Sequence, residues 1–185
     1  MATVVIGMTM SLDGFVEDAH GDVSRLYPDL QSLRATELLQ ESIRAIGAVV
    51  MGRRAFAMGD PDGYVGQYEY QVPIFVLTHT PPARQPKQDD RLTFTFVTDG
   101  IESAIRQARA AAGDKQVTVV GGPSTIQQCL AHGLADVLEV GVMPVLLGAG
   151  RRLFEAVGGP PVDLEKISVI ETGPRTDLTF RLKRT

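Results

Sequence analysis

Val119-Val120-Gly121-Gly122-Pro123-Ser124-Thr125 is the stretch on which the reading of this chain turns. Two β-branched residues close an apolar run, two glycines follow, and Pro123 opens a segment with helical character that reaches His132 and stops at Gly133. The pattern is a strand entering a helix through a glycine turn. The glycines allow close approach and unusual φ. The free N–H groups of the helix start, with the Ser124 and Thr125 hydroxyls, suit a pyrophosphate. The same residues also read as a tight strand–helix connection without a ligand. The stretch is neither G-x-G-x-x-G nor a P-loop.

Working outward, β-rich apolar runs alternate with helical periods. Strands are expected at residues 2–10, 48–51, 72–78, 92–98, 116–120 and 137–143. Leu30, Leu33, Leu38, Leu39, Ile43 and Ile46 share one helical face, with Asp29 as N-cap and Gly47 as stop. Residues 53–58 form a short helix, and Ile101, Ala104, Ile105 and Ala108 carry another as far as Ala112. Residues 59–71 and the proline-containing 80–91 read as loops. Two last strands, 162–172 and 178–183, are parted by Gly173-Pro174-Arg175-Thr176-Asp177 and predict an antiparallel hairpin. The alternation predicts βαβ units, hence a three-layer α/β fold on a mainly parallel sheet. No repeat or linker divides the chain, so residues 1–185 are expected to form a single domain.

Ligands of such sheets bind beyond the carboxyl ends of the strands, and three further segments fall there. Met51-Gly52-Arg53-Arg54 joins a strand to a helix, where an arginine fork matches a phosphate; a solvated arginine pair is the alternative. Val76-Leu77-Thr78-His79 offers a hydroxyl and an imidazole to an adenosine phosphate, or only a surface histidine. Ser11-Leu12-Asp13-Gly14 ends the first strand, where Asp13 either meets a nicotinamide or substrate or makes an ordinary Asp-Gly turn. An extra anionic group beside a nucleotide makes NADPH the first candidate cofactor.

Bulk properties narrow the classes. A chain of 185 residues is long enough to bury a sizeable core. The net charge of −4 gives no global field toward nucleic acid or anionic membrane. No apolar run reaches the ~20 residues of a membrane span, and no signal peptide is visible. One cysteine, Cys129, precludes an intrachain disulfide and a cysteine-rich metal site, so no metal is expected. It fits a reducing compartment, and the cytoplasm is the expected location. H-E-x-x-H, P-C-x-x-C, G-x-S-x-G and G-x-x-x-x-G-K-[ST] are all missing. Hydrolase, deaminase and NTPase readings weaken accordingly. A nicotinamide reductase needs few protein acids or bases, because the cofactor carries the chemistry.

The order of these motifs resembles the dihydrofolate-reductase-like family that includes the reductase domain of bacterial riboflavin biosynthesis. Ser11-Leu12-Asp13-Gly14-Phe15, Met51-Gly52-Arg53-Arg54, Val119-Val120-Gly121-Gly122-Pro123 and Pro144-Val145-Leu146-Leu147-Gly148-Ala149-Gly150 with Leu153-Phe154 carry the likeness across most of the chain. It implies the dihydrofolate reductase fold, NADPH and a homodimer. By analogy Gly52, Arg53 and Arg54 sit at the adenosine end, with Leu77, Thr78 and His79 near the 2′-phosphate. Gly121, Gly122, Pro123, Ser124 and Thr125 hold the pyrophosphate, and Asp13 lies near the reacting end as the candidate catalytic residue. The chain lacks tryptophan, which true dihydrofolate reductases carry in a loop, and no deaminase domain is expected in it.

The expected activity is NADPH-dependent reduction of a small heterocyclic (pterin- or aminopyrimidine-like) or other conjugated substrate. The substrate would be held near Asp13, Phe15 and the 59–70 segment, where Tyr64 or Tyr68 stacks, donates a proton, or merely packs the loop. The alternative is a non-catalytic nucleotide-binding or interaction protein on the same scaffold, since one scaffold hosts many functions.

Overall fold

The computed structural model describes residues 1–28, 36–155, 157–158 and 160–183. Its frame is an eight-stranded sheet. The strands are β1 (Val4–Ser11), β3 (Ile46–Gly52), β4 (Ile74–Leu77), β5 (Phe94–Val97), β6 (Gln116–Val119), β7 (Val137–Met143), β9 (Leu164–Thr172) and β10 (Arg175–Leu182). They lie in the order β5-β4-β3-β6-β1-β7-β10-β9. All neighbours from β5 to β7 are parallel, whereas β10 runs antiparallel to both β7 and β9. The expected parallel sheet and terminal hairpin are both present.

Period-two alternation distributes the strand residues between two layers. Val4, Ile6, Ala48, Val50, Val117 and Val119 pack with Ile101, Ala104, Ile105 and Ile126 of α3 (Ile101–Ala112) and α4 (Pro123–Ala131). Val49 and Met51 face the other way and pack with Phe56 of α2 (Arg53–Met58) and with Tyr64. A further helix among the described residues, α1 (Glu37–Ala45), adjoins β3. Val5, Gly7, Thr9, Glu139, Gly141 and Thr179 line a cleft rather than this core. Among the described residues, no helix is long and apolar enough to cross a membrane, and no three His, Cys, Asp or Glu side chains converge as metal ligands.

Four differences from the sequence reading have physical reasons. Gly47 does not stop a helix, because the chain passes straight from α1 into β3 at Ile46. A Cβ at Gly47 would come within 2.7 Å of the Ala112 carbonyl, so glycine serves close approach to the end of α3. The N-cap of α1 is Thr36, whose hydroxyl accepts the Leu39 N–H at 3.3 Å. The expected cap Asp29, with Leu30 and Leu33, lies outside the described residues. The hairpin turn is Gly173-Pro174 alone, and Arg175, Thr176 and Asp177 belong to β10. Last, β2 (Phe15–Glu17) pairs antiparallel with β8 (Arg151–Arg152), a two-stranded ribbon too short for periodicity to reveal.

Candidate functional site

Beside the carboxyl ends of β3, β4 and β6 opens a cleft of about 1080 Å³. One end is lined by Gly52, Arg53, Arg54, Leu77, Thr78, His79, Gly122, Pro123, Ser124 and Thr125, so segments from three separate strand ends converge. The Gly52 N–H donates to the Gly121 carbonyl at 2.7 Å and locks two of those ends together. A Cβ at Gly52 would lie 2.7 Å from Thr125 Oγ1, so only glycine lets β3 end against the start of α4. Gly121 has φ of +122°, a region that side chains disfavour. Gly122 is different: its φ of −70° and ψ of −178° suit any residue. Beyond its two chain neighbours, no heavy atom lies within 4 Å of the position of its missing Cβ.

The donors at the start of α4 are fewer than its sequence suggests. Pro123 has no N–H, and those of Thr125 and Ile126 turn back on the Gly122 carbonyl at 2.9 and 3.4 Å. Thr125 is buried, whereas Ser124 is exposed. The Ser124 hydroxyl accepts from Gln128 Nε2 at 3.3 Å, which leaves its own proton for a ligand. The arginines also divide. Arg54 pairs with Glu17 at 3.2 Å, and the same Glu17 oxygen takes Arg151 Nε at 3.0 Å. Arg53 is exposed and has no ion-pair partner among the described residues. Thr78 is buried, and its hydroxyl donates to the Thr80 carbonyl at 2.8 Å while accepting the Thr80 N–H at 3.2 Å. That leaves Arg53 and the exposed His79 as the freer polar groups at this end.

Asp13 and Phe15 do not line this cleft. Asp13 accepts the Ser11 hydroxyl at 2.6 Å and the N–H groups of Leu147 and Gly148 at 3.1 and 2.8 Å. The Ser11 hydroxyl foremost, with those N–H groups, holds the carboxyl down at about 2. Its oxygens fasten the turn after β1 to the loop after β7, a structural use of the Asp-Gly turn. Phe15 is buried in β2, and the Arg152 guanidinium lies 4.4 Å from its ring centroid. Tyr64 and Tyr68 do line the cleft. Tyr64 stacks on Phe56 and donates its hydroxyl to the Phe56 carbonyl at 2.8 Å, the geometry of loop packing. Burial, then the charge of Glu69, pushes that phenol up to about 12, and the same two causes raise Tyr68.

The far end of the cleft was not anticipated as a site. Strand register sets Thr9, Gly141 and Asp177 in one row across β1, β7 and β10, and Gly7, Glu139 and Thr179 in the next. Arg175 is buried, donates to Thr9 Oγ1 and to the Leu26 carbonyl (3.3 Å), and has its guanidinium 5.7 Å from the Tyr27 ring centroid. Enclosure by the cleft walls raises the Glu139 carboxyl, and the Asp177 charge adds to it. A signal existed in the sequence. Asp177, Thr179 and Arg181 alternate with Leu178, Phe180 and Leu182, which is strand spacing rather than turn composition.

Comparison with known proteins agrees with this architecture. The family model described as the RibD C-terminal domain matches residues 2–178. An uncharacterised Bacillus subtilis (strain 168) protein, YyaP, is 25% identical over 162 residues, covering 82% of this chain and 79% of its own. Among solved structures, a Shewanella sp. PV-4 protein assigned provisionally to riboflavin biosynthesis superposes with a TM-score of 0.80 at 24% identity, covering 100% of both chains. The Thermotoga maritima diaminohydroxyphosphoribosylaminopyrimidine deaminase/5-amino-6-(5-phosphoribosylamino)uracil reductase has a TM-score of 0.66 at 18% identity, matching 98% of this chain and 57% of its own. The Saccharomyces cerevisiae riboflavin biosynthesis reductase Rib7 has a TM-score of 0.61 at 16% identity, matching 99% of this chain and 89% of its own.

Proposed function

Because the chain belongs to the RibD C-terminal domain family, we propose that it is an NADPH-dependent reductase of a small heterocyclic or otherwise conjugated substrate. The observation that carries the reading is convergence. Three strand-end segments distant in sequence meet at one end of a cleft whose other end is a polar sheet face under aromatic side chains. Two proteins of this fold are named as reductases, one as a 5-amino-6-(5-phosphoribosylamino)uracil reductase and one as a riboflavin biosynthesis reductase, which supports the reaction class.

The residues present fit the cofactor. The empty space beside Gly122 is room that a side chain would fill. Ser124 and the Gly121-Gly122 backbone would hold the pyrophosphate, with Gly52, Pro123 and Thr125 shaping that corner. Arg53, with His79 and the Leu77-Thr78 backbone, would face the adenosine phosphate, and Arg54 would assist while tethered by Glu17. Bound there, the reduced nicotinamide supplies a hydride. The chain's own task is to orient the substrate at the end of the cleft lined by Tyr27, Tyr68 and Tyr70, and to exclude competing reactions. Asp13 contributes by fixing the loops at the strand ends.

A homodimer is proposed on the family likeness and on the exposed Leu164, Ile167 and Val169 of β9; sedimentation velocity tests it. A reducing, cytoplasmic setting suits the buried thiol of Cys129. The activity is tested by following NADPH absorbance against pterins, aminopyrimidines and quinones. Oxidation dependent on one class supports the reductase. NADPH binding with no turnover on any class favours a non-catalytic nucleotide-binding protein instead.

A further inference from the structure

We propose that the substrate of this cleft carries no phosphate: the far end takes a planar ring that is neutral or cationic, and turns away the same ring bearing a phosphate. The inference rests on the reductase reading above and narrows its substrate class. A phosphate ester carries close to two negative charges near neutral pH, so a site that keeps one supplies arginine or lysine, or several free N–H groups. Among the described residues, the cleft side chains able to carry positive charge are Arg53, Arg54, His79, Arg151 and Arg175. Arg53 and His79 stand at the nucleotide end. Arg54 and Arg151, beside Ser124, are both engaged by Glu17. Only Arg175 belongs to the far end.

Arg175 is already committed within the fold. It is buried, donates to Thr9 Oγ1 and to the Leu26 carbonyl, and lies against the Tyr27 ring. Its Nη1, with Asp177 Oδ1 and Thr9 Oγ1, crowds over Gly141, each 3.0–3.1 Å from the position a Cβ would take there. A carboxylate therefore stands beside the one cation. The N–H groups of β7 and β10 serve the sheet, for β7 lies between β1 and β10, and β10 between β7 and β9, along this row. Glu139 is a diagonal neighbour of Asp177 on the same face, since Thr179 is opposite Glu139 and Asp177 opposite Gly141. Burial first, and then the charges of Glu69 and Glu139, push the Tyr70 phenol up to about 12. Both carboxylates thus stand near the wall formed by Tyr68 and Tyr70, whose ring centroids are 5.6 Å apart.

At this end Glu69, Glu139 and Asp177 outweigh the one engaged guanidinium. Like charges in a partly enclosed space repel more strongly than in bulk water. A phosphate here meets that repulsion and finds only neutral hydroxyls to hold it. Tyr27, Tyr68 and Tyr70 remain as faces for a flat ring, and positive charge on the ring would strengthen that contact. The reaction that supplies the substrate must then deliver it without a phosphate, or release one first. The Thermotoga maritima protein is named for a phosphoribosyl compound; on this reading the two proteins share a fold and differ in substrate.

The test is calorimetric titration of the wild type saturated with NADP+, so that the nucleotide end is filled and nothing is reduced. Mildly alkaline pH keeps the carboxylates and the phosphate ionised. The probes are 5-amino-6-(5-phosphoribosylamino)uracil, the same compound after phosphatase treatment and removal of the released phosphate, and 2,4-diaminopyrimidine as a ring alone. Both phosphate-free probes should bind, and the phosphorylated one should bind at least about tenfold more weakly than its dephosphorylated form. That ratio should shrink as salt is raised, because the repulsion is screened. The double variant Glu69→Gln, Glu139→Gln should take the phosphorylated probe at least about threefold more tightly, while Glu171→Gln, at an exposed position of β9, keeps the wild-type ratio. A phosphorylated probe that binds as tightly as its counterpart, a ratio that neither salt nor the double variant moves, or a wild type that takes neither phosphate-free probe overturns the proposal. The NADP+ titration separates the two failures. A wild type that binds NADP+ but accepts the phosphorylated probe equally removes this inference alone, whereas no NADP+ binding removes the reductase reading and this inference with it.

Discussion

At one end of the cleft, Gly52, Arg53 and the 121–125 turn each lie at the junction of a strand with the helix that follows. At the other, Thr9, Glu139, Arg175 and Asp177 come from within three strands and meet only through register. The first end is local chemistry repeated at successive strand ends, so each piece carries its own signature of glycine, small hydroxyl and arginine. The second is made by long-range pairing, and no segment of it looks like a site by itself. If the nucleotide occupies the first end and the substrate the second, as proposed, substitutions at the two ends should have separable effects.

The largest separation is expected from Gly122→Val. The backbone angles at Gly122 accept valine, and the space around it is open, so the fold should persist by circular dichroism. The new side chain would fill the proposed pyrophosphate corner. NADPH affinity should fall about 100-fold or more, while 2,4-diaminopyrimidine binding stays near wild type. Loss of both ligands in a folded variant would merge the two ends into one.

Arg175→Met should show the reverse. It strips donors from the Thr9 hydroxyl and the Leu26 carbonyl, behind the substrate end. We expect a loss of about 2–4 kcal/mol in chemical denaturation, because buried polar groups are left unmatched. Probe binding should weaken and NADPH affinity should hold. An unchanged denaturation midpoint would mean that Arg175 does not organise this end.

Within the nucleotide end, Arg53→Ala should weaken NADPH about tenfold while scarcely affecting NADH, since one charge-assisted hydrogen bond contributes roughly 1.5–3 kcal/mol. Arg54→Ala should do less, because Arg54 already serves Glu17. Equal losses for NADPH and NADH in calorimetric titration would place the 2′-phosphate away from Arg53.

The smallest effect is expected from Asp13→Asn, which touches neither end. The wild-type carboxyl, held at about 2, ionises more readily folded than unfolded. Its stabilisation is complete above the unfolded value of ~3.9 and is lost as pH falls through the folded value. Thermal melts across that window should flatten in the variant, with NADPH affinity unchanged.

How much of this was legible in the sequence follows from the same contrast. The strand 137–143 and the helices 53–58 and 101–112 lie where the sequence pattern set them, and the strand expected at 116–120 ends one residue sooner, at Val119. Gly52, Arg53, Ser124 and His79 were readable as cleft residues from their places at strand ends. Asp13 was misleading because an Asp-Gly turn has the same spelling whether its carboxylate meets a ligand or the N–H groups of a neighbouring loop. Arg175 and Asp177 were hidden because polar residues beside Gly173-Pro174 resemble turn, although a strand facing a wet cleft is polar for its own reason. Glu139 was hidden inside the apolar run of β7, where only the pairing of β7 with β1 and β10 shows which way it faces.

A reductase site that prefers NADPH is checked by titrating the wild-type protein with NADPH and NADH under the same salt and pH. One site per chain and at least about tenfold tighter binding of NADPH are expected, one charge-assisted contact being sufficient for that ratio. Equal affinity for the two, or no binding of either, would contradict it.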